Sequence, residues 1–330
     1  MLKKLLTLSV LSAFLFTGCS AGQIASAEKQ EDNKINIVCT LFPEYDWTRE
    51  ILGSQTENIN LTYLLESGLE LHTYQPSAKD MLTISDCDVF IYTGGESESW
   101  VDDALKTVSN PDMKVIRLMD VLGDSAKEEE VKEGMETEAE EEEEDSDEPE
   151  YDEHIWLSVR NAELLCSAVC DTLCEAVPEQ KENYQANLNA YLEKLDSLDK
   201  EFQTMADTAS VRTLVFGDRF PFRYFTDDYQ LDYYAAFVGC SAETKASFET
   251  VAFLSKKLDE LQLDTVFVIE NADTSIAESI ISNTEQKNQK IVTLNSMQSV
   301  NAEAIGNGAS YLTIMQENLD TLKEALHSHE

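Results

Sequence analysis

Eight short runs of β-branched and apolar residues, separated by stretches of helical period, constrain this chain more than any other feature. The runs are 34–40, 59–65, 89–92, 114–118, 213–216, 233–238, 265–269 and 290–294. Between them lie helix-period stretches: Tyr45 to Leu52, Ala78 to Ile84, Trp100 to Val108, Phe248 to Leu261, Thr274 to Asn283 and, last, Tyr311 to Leu326. Pro221 to Asp227 reads as a loop leading into a helix. A chain that alternates strand and helix in this way builds parallel strands joined by helical crossovers. The alternation stops in mid-chain. Asn161 to Ala176 is helical, and Glu179 to about Ala206 continues as a second helix. There Leu188, Tyr191, Leu192, Leu195 and Leu198 recur at helix spacing. A helix of that length between two alternating halves reads as a spine joining two lobes.

The chain opens with Lys3-Lys4, an apolar run from Leu5 to Phe16, and then Gly18-Cys19. A basic region followed by a short apolar core is a secretory signal. The run is shorter than the ~20 residues that span a bilayer. Its ending resembles a bacterial lipobox, cut before a cysteine that then carries lipid, here Cys19. Ser20 to Lys34 is small and polar and suits a tether. There are 64 acidic against 24 basic residues. That balance argues against nucleic acid, whose phosphates need Lys and Arg, and raises the local concentration of cations.

From Asp124 to Glu153, eighteen acidic residues face two lysines with almost no apolar residues. Such a run repels itself and is expected to be disordered or loosely held, either as a solvated insertion or as a carboxylate brush for passing cations. Cys166, Cys170 and Cys174 recur every four residues and so share one helix face. They read as small core residues rather than soft-metal ligands. Cys39, Cys87 and Cys240 stand near strand starts or ends, where a bridge is open in an exported protein.

The chain has four histidines. His327 and His329 stand in the terminal segment. His72 and His154 fall in loops where the alternation turns over, each beside acidic and aromatic residues. In open sheets of this kind, ligands bind outside the carboxyl ends of strands. In the second half Asp218 follows one strand, Glu270 directly follows another, and Asp273 comes close behind. Two imidazoles with one or two carboxylates suit zinc or manganese. The bland alternatives are an Asp218 ion pair with Arg219 or Arg223, and a Glu270 that serves a helix N-terminus.

At these residues the chain resembles the zinc- and manganese-binding receptors of bacterial importers of the ATP-binding-cassette type. Thr40-Leu-Phe-Pro43 is similar to the family's early strand end. Leu71-His72-Thr-Tyr74-Gln-Pro76-Ser77 is similar to its Pro-His-x-Tyr-x-Pro-Ser loop. Gly94-Gly-Glu-Ser-Glu98-Ser-Trp100, Asp152-Glu-His154-Ile-Trp156, and Tyr184 with Asn187 and Leu188 match further motifs. The resemblance implies an α/β fold of two lobes, each a parallel sheet flanked by helices, joined by one long rigid spine helix. It implies a signal peptide at 1–18, a lipid-anchored tether at 19–33 and an N-terminal metal-binding lobe at 34–177, with the acidic flexible insertion at 124–151. A linking helix at 178–207 and a C-terminal lobe at 208–330 follow.

The implied ligands are His72, His154, Asp218 and Glu270, with Asp273 in reserve and Glu243 shaping the rim. The implied cargo is Zn2+, with Mn2+ as the alternative. The implied partner is an importer permease in the cytoplasmic membrane, served by a lipid-anchored monomer on its outer face. Two departures stand out. The acidic loop lacks the histidines usual in the family. Gly217 to Tyr224, where the third family ligand falls, has no histidine either. A metal-dependent hydrolase with Glu70 or Glu153 as base is the competing class, but neither an HExxH-type helix pair nor a nucleophile motif supports it. A surface adhesin, with metal only stabilising it, is a third reading.

Overall fold

The computed structural model of the protein describes residues 34–54, 56–136, 150–241 and 245–327. The expected signal, Cys19 and the tether lie outside the described residues, as do Glu243 and His329. In the first half the order is β1 (Ile35–Cys39), α1 (Phe42–Leu52), β2 (Ile59–Tyr63), α2 (Ala78–Ser85), β3 (Val89–Tyr92), α3 (Val101–Leu105), β4 (Lys114–Arg117) and α4 (Leu118–Leu122). Two long helices follow, α5 (Val159–Ala176) and α6 (Lys181–Thr208). The second half runs β5 (Thr213–Phe220), α7 (Arg223–Asp228), β6 (Asp232–Val238), α8 (Phe248–Leu261), β7 (Thr265–Ile269), α9 (Ser275–Ser282), β8 (Lys290–Leu294), α10 (Ala302–Gly306) and α11 (Tyr311–Ala325).

The strands form two parallel sheets, in the orders β2-β1-β3-β4 and β6-β5-β7-β8. Each order reverses once, between β1 and β3 and between β5 and β7. Crossovers leave these switch points in opposite directions and open a crevice at the carboxyl ends of the strands. At the first switch point Glu44 ties the strand ends together. Its carboxylate accepts from the Thr40 and Leu41 N–H groups at 3.0 Å each and from the Thr93 hydroxyl at 2.9 Å. Glu98 accepts from the Gly94 N–H at 2.7 Å.

Both carboxyls are buried, and burial pushes Glu98 up to about 7. A raised carboxyl binds its proton in the folded chain before it does in the unfolded one. The stability it contributes is therefore fully present below about pH 4.5 and lost as pH rises through about 7. We expect wild-type unfolding free energy to fall by on the order of 3 kcal/mol between pH 5 and pH 8 from this group. In Glu98→Gln that decline should largely vanish, as read by denaturant unfolding at both pH values. An identical pH dependence in the two proteins would show that Glu98 does not titrate in this range.

The spine helix α6 is about 42 Å long at 1.5 Å per residue. Its buried side chains Tyr184, Tyr191, Leu195, Leu198, Phe202, Met205 and Ala206 fall on one stripe. It packs on α1 and α5, and on α11 from the second half. One continuous apolar cluster consequently runs from Ile37 in β1 to Leu326 beyond α11. The two halves share this core, and the second half adds a smaller buried cluster of its own around Val215, Phe237, Leu254 and Val266. Two tyrosines lock the seam: Tyr63 donates to the Val300 carbonyl and Tyr311 to the Trp156 carbonyl, both at 2.8 Å. Cys166, Cys170 and Cys174 are buried along α5, as their spacing indicates. The described cysteines are all free, Cys39, Cys87 and Cys240 included.

Three expectations need correction. β5 does not stop at Phe216 but reaches Phe220 through a register shift between Phe216 and Arg219. Polar Asp218 and Arg219 masked that continuation, because a strand at a crevice edge no longer faces apolar neighbours on both sides. The short helices α4 and α10 are also additions to the sequence reading. Finally, the flanks of the acidic run are ordered. The Glu136 N–H donates to the Ala236 carbonyl at 2.9 Å, beside β6. Lys132 pairs with Asp232 at 2.6 Å and lies 3.8 Å over the Tyr233 ring. Tyr233 donates to Glu130 at 2.8 Å. Residues 124–136 thus form a strap from the first half onto the exposed edge of the second sheet. Charge composition cannot reveal a partner that lies a hundred residues away. Residues 137–149 lie outside the described set.

Candidate metal centre

His72 sits in a 3-10 turn, Leu71–Thr73, between β2 and α2. His154 stands at the head of another, Ile155–Leu157, just before α5. The structure brings the two rings together, with centroids 5.4 Å apart at 67°. Each Nδ1 is held from behind. The His154 Nδ1 lies 2.9 Å from Asp152 Oδ1, which also accepts the His154 N–H at 2.8 Å. The His72 Nδ1 meets Ser97 Oγ at 2.5 Å, and that hydroxyl donates to Glu153 Oε1 at 2.5 Å. Carboxylates behind imidazoles in this way set the tautomer and leave the Nε2 lone pair free. Both Nε2 atoms are buried and neither has a hydrogen-bond partner. Two buried acceptors without partners are costly unless a ligand satisfies them.

His72, Glu153, His154 and Cys240 form one group, with one ligand atom of each within 4.8 Å of all the others. Glu153 lies 3.1 Å from His72 Nδ1 and fits there because Gly95 has no side chain. A Cβ there would fall 1.9 Å from Glu153 Oε2. Burial alone would push the Glu153 carboxyl up, but the hydrogen bond to His72 and the charges of both histidines hold it below the ordinary range. Burial alone would lower His154, and Asp152 outweighs it and raises the ring above its ordinary value. Burial, aided by Glu153, Asp152 and Glu129, pushes the Cys240 thiol well up. Such a thiol stays protonated until a cation displaces the proton.

Asp218 stands two residues before the end of β5 and Glu270 directly after β7, but they do not join this cluster. Asp218 accepts from the Ile269 N–H at 3.0 Å and the Arg219 N–H at 2.8 Å, bridging the switch point of the second sheet. Glu270 accepts from the Ser296 N–H at 2.6 Å, the Ser296 hydroxyl at 2.9 Å and the Gln298 N–H at 3.0 Å. Backbone donors left over at loop bends engage both carboxylates. Asp273 is exposed and accepts from the Ser275 N–H at 2.9 Å, at the start of α9. Asp218 and Glu270, with Glu70 and Arg219, line a cleft of about 230 Å³. Glu70 Oε1 stands 3.6 Å from His72 Nε2 and 3.1 Å from the Arg219 guanidinium.

Neither Glu153 nor Cys240 stands out as a ligand from the sequence alone. Both carried a usable signal. Glu153 adjoins His154, and Cys240 follows β6 at the same kind of strand end that singled out Asp218 and Glu270.

The chain matches the family described as zinc-uptake complex component A, periplasmic, over residues 37–325. It is 31% identical over 320 residues to the zinc-binding lipoprotein AdcA of Streptococcus pneumoniae, an alignment covering 97% of this chain and 60% of that protein. The chain thus spans less than two thirds of that relative. It is 28% identical over 330 residues to the high-affinity zinc uptake system protein ZnuA of Bacillus subtilis, covering 99% of each. The crystal structure of the Zn(II)-bound ZnuA-like domain of the pneumococcal AdcA superposes with a TM-score of 0.69 at 29% identity, covering 89% of this chain and 99% of that one.

Proposed function

We propose, on the premise that this chain belongs to the zinc-uptake complex component A family, that it is an exported receptor that captures Zn2+ and hands it to an ATP-binding-cassette importer. The observation that carries this reading is the pair of buried, unpartnered Nε2 atoms of His72 and His154, on rings whose centroids lie 5.4 Å apart. Neutral imidazole is a preferred zinc ligand, and the carboxylates behind each ring raise its basicity. The first half, 34–177, supplies both histidines and Glu153. The second half, 208–330, closes the crevice from the other side, with 178–207 as the stiff connection. Asp218 and Glu270 act in this reading as crevice carboxylates that shape the cleft and its negative potential. A core shared across both halves favours small rocking over wide hinge opening. Release then needs the importer to part the crevice.

Further parts of the reading rest on the sequence and on relatives. Cys19 carries the lipid that anchors the receptor, as the word lipoprotein in the pneumococcal relative's name supports. Among the described residues no helix is long and apolar enough to cross a membrane. The receptor meets its permease as a monomer on the outer face of the cytoplasmic membrane. Zinc is favoured over manganese because it stands far higher in the affinity order of divalent ions, and the relatives are named for zinc. Elemental analysis of full-length protein purified without added metal should find about one zinc per chain. Stoichiometric manganese instead would overturn the choice of ion. Normal zinc-limited growth of a strain lacking the protein would overturn the transport role.

A further inference from the structure

We propose that Cys240 is a direct ligand of the cargo, contributed as a thiolate by the second half, so that the receptor holds its ion through one sulfur as well as two imidazoles. This deepens the receptor reading and rests on it. Three observations carry it. The first is position. Cys240 Sγ belongs to the group whose ligand atoms lie within 4.8 Å of one another, together with His72, Glu153 and His154. Zinc–nitrogen bonds of 2.0–2.1 Å and zinc–sulfur bonds of 2.3 Å put tetrahedral donors about 3.3–3.8 Å apart. A contraction of about 1 Å therefore seats the ion, within the reach of side-chain rotation in a crevice.

The second observation is how the loop is built to deliver the sulfur. β6 ends at Val238, and Gly239 then passes directly against His154. A Cβ on Gly239 would lie 3.1 Å from His154 Cε1 and 3.0 Å from the Phe220 carbonyl. The next residue is Cys240. Its N–H donates to Glu129 Oε1 at 3.2 Å, so the acidic strap grips the loop from outside. The strap is itself fastened beside β6 through Glu136. The loop is therefore held between the histidine it faces and the strap behind it.

The third observation is charge. A thiolate offsets one of the two charges of a divalent cation held by neutral imidazoles, and the buried carboxylates behind the rings, Asp152 and Glu153, offset the rest. Neighbouring Arg219 and Glu70 already neutralise each other at 3.1 Å. Compensating charges beside the ion avoid the large cost of burying it unpaired. The carboxylates of Asp218 and Glu270 are engaged by backbone donors, which leaves the sulfur as the second-half donor closest to the histidine pair. Coordination replaces the S–H bond by a metal–sulfur bond and releases one proton to solvent for each ion bound. A thiolate donor selects zinc and other soft or borderline ions and discriminates against manganese, magnesium and calcium.

The test titrates metal-free full-length protein with Co2+, which reports its own ligands. Wild type should show the visible bands of a tetrahedral site together with a thiolate-to-cobalt charge-transfer band in the near ultraviolet. Cys240→Ser and Cys240→Ala should keep the visible bands, lose the near-ultraviolet band, and bind zinc roughly 10- to 100-fold more weakly. Thermal unfolding of the metal-free variants at the wild-type temperature shows that the loss is not a folding defect. Visible bands in wild type without a charge-transfer band overturn the thiolate and leave the receptor standing. So does a charge-transfer band that persists in both variants. A wild-type protein that binds neither cobalt nor zinc overturns the receptor reading itself.

Discussion

Replacing His154 or His72 with alanine is expected to weaken zinc binding roughly 100- to 1,000-fold. A four-ligand zinc site is worth about 10–16 kcal/mol, so one donor carries about 3 kcal/mol, and each 1.4 kcal/mol is tenfold. The two losses have different side effects. His72→Ala takes the imidazole from buried Glu153, which keeps both the hydroxyl and the N–H of Ser97. His154→Ala takes the imidazole from buried Asp152, which keeps only the N–H of residue 154 on the same oxygen. His154→Ala should accordingly also lower the stability of the metal-free protein, and His72→Ala should do so less.

Glu270→Ala is the informative contrast. Its carboxylate accepts three hydrogen bonds from the Ser296 and Gln298 segment. Its loss should lower the unfolding temperature while reducing zinc affinity less than either histidine variant. Competition calorimetry with a zinc chelator measures all three. If the order is reversed, so that Glu270→Ala loses the most affinity, Glu270 is a ligand and the cluster described above is not the binding geometry.

Trp156→Ala should produce the largest loss of stability. The indole is buried in the shared core, and its Nε1 donates to the Ser296 carbonyl across the seam at 2.8 Å. Truncating a buried aromatic costs about 3–5 kcal/mol, and the orphaned carbonyl adds about 1 kcal/mol. For a chain of this size that lowers the unfolding temperature by on the order of 10 °C. Affinity should fall as well, because the ring packs at a tilt against His154, with centroids 5.3 Å apart, and keeps that imidazole in place. Ser296 continues the contact to Glu270, so one side chain links the metal pair to the crevice wall of the second half. A shift of only about 3 °C would mean that the seam relaxes around the cavity and that the two halves are less tightly joined than their packing implies.

Much of the fold is legible without coordinates. Val89–Tyr92, Thr265–Ile269 and Lys290–Leu294 are strands over the very residues that their β-branched content indicates, and Phe248–Leu261 is a helix over its apolar period. Local composition suffices there because the two faces of a parallel sheet are both buried and a crossover helix has one buried stripe. It fails where a distant partner decides the structure. Residues 124–136 are too acidic to fold alone, yet Tyr233, Asp232 and the Ala236 carbonyl organise them. Asp218 extends a strand whose neighbour, not its own side chain, keeps it extended.

The chain's order of elements by itself determined two parallel sheets, a long central helix and a ligand crevice at the strand ends. It also singled out His72 and His154, because two imidazoles stand in comparable loops at that crevice, each beside acidic and aromatic residues. What only the tertiary structure decided is which groups stand beside those rings. Neighbouring strands of the second sheet, β5, β6 and β7, deliver Asp218, Cys240 and Glu270 to the crevice region. All carry donor atoms, and their spacing along the chain does not separate them. Backbone engagement distinguishes them: Asp218 and Glu270 accept from N–H groups of neighbouring loops, while Cys240 groups with Glu153 and the two histidines.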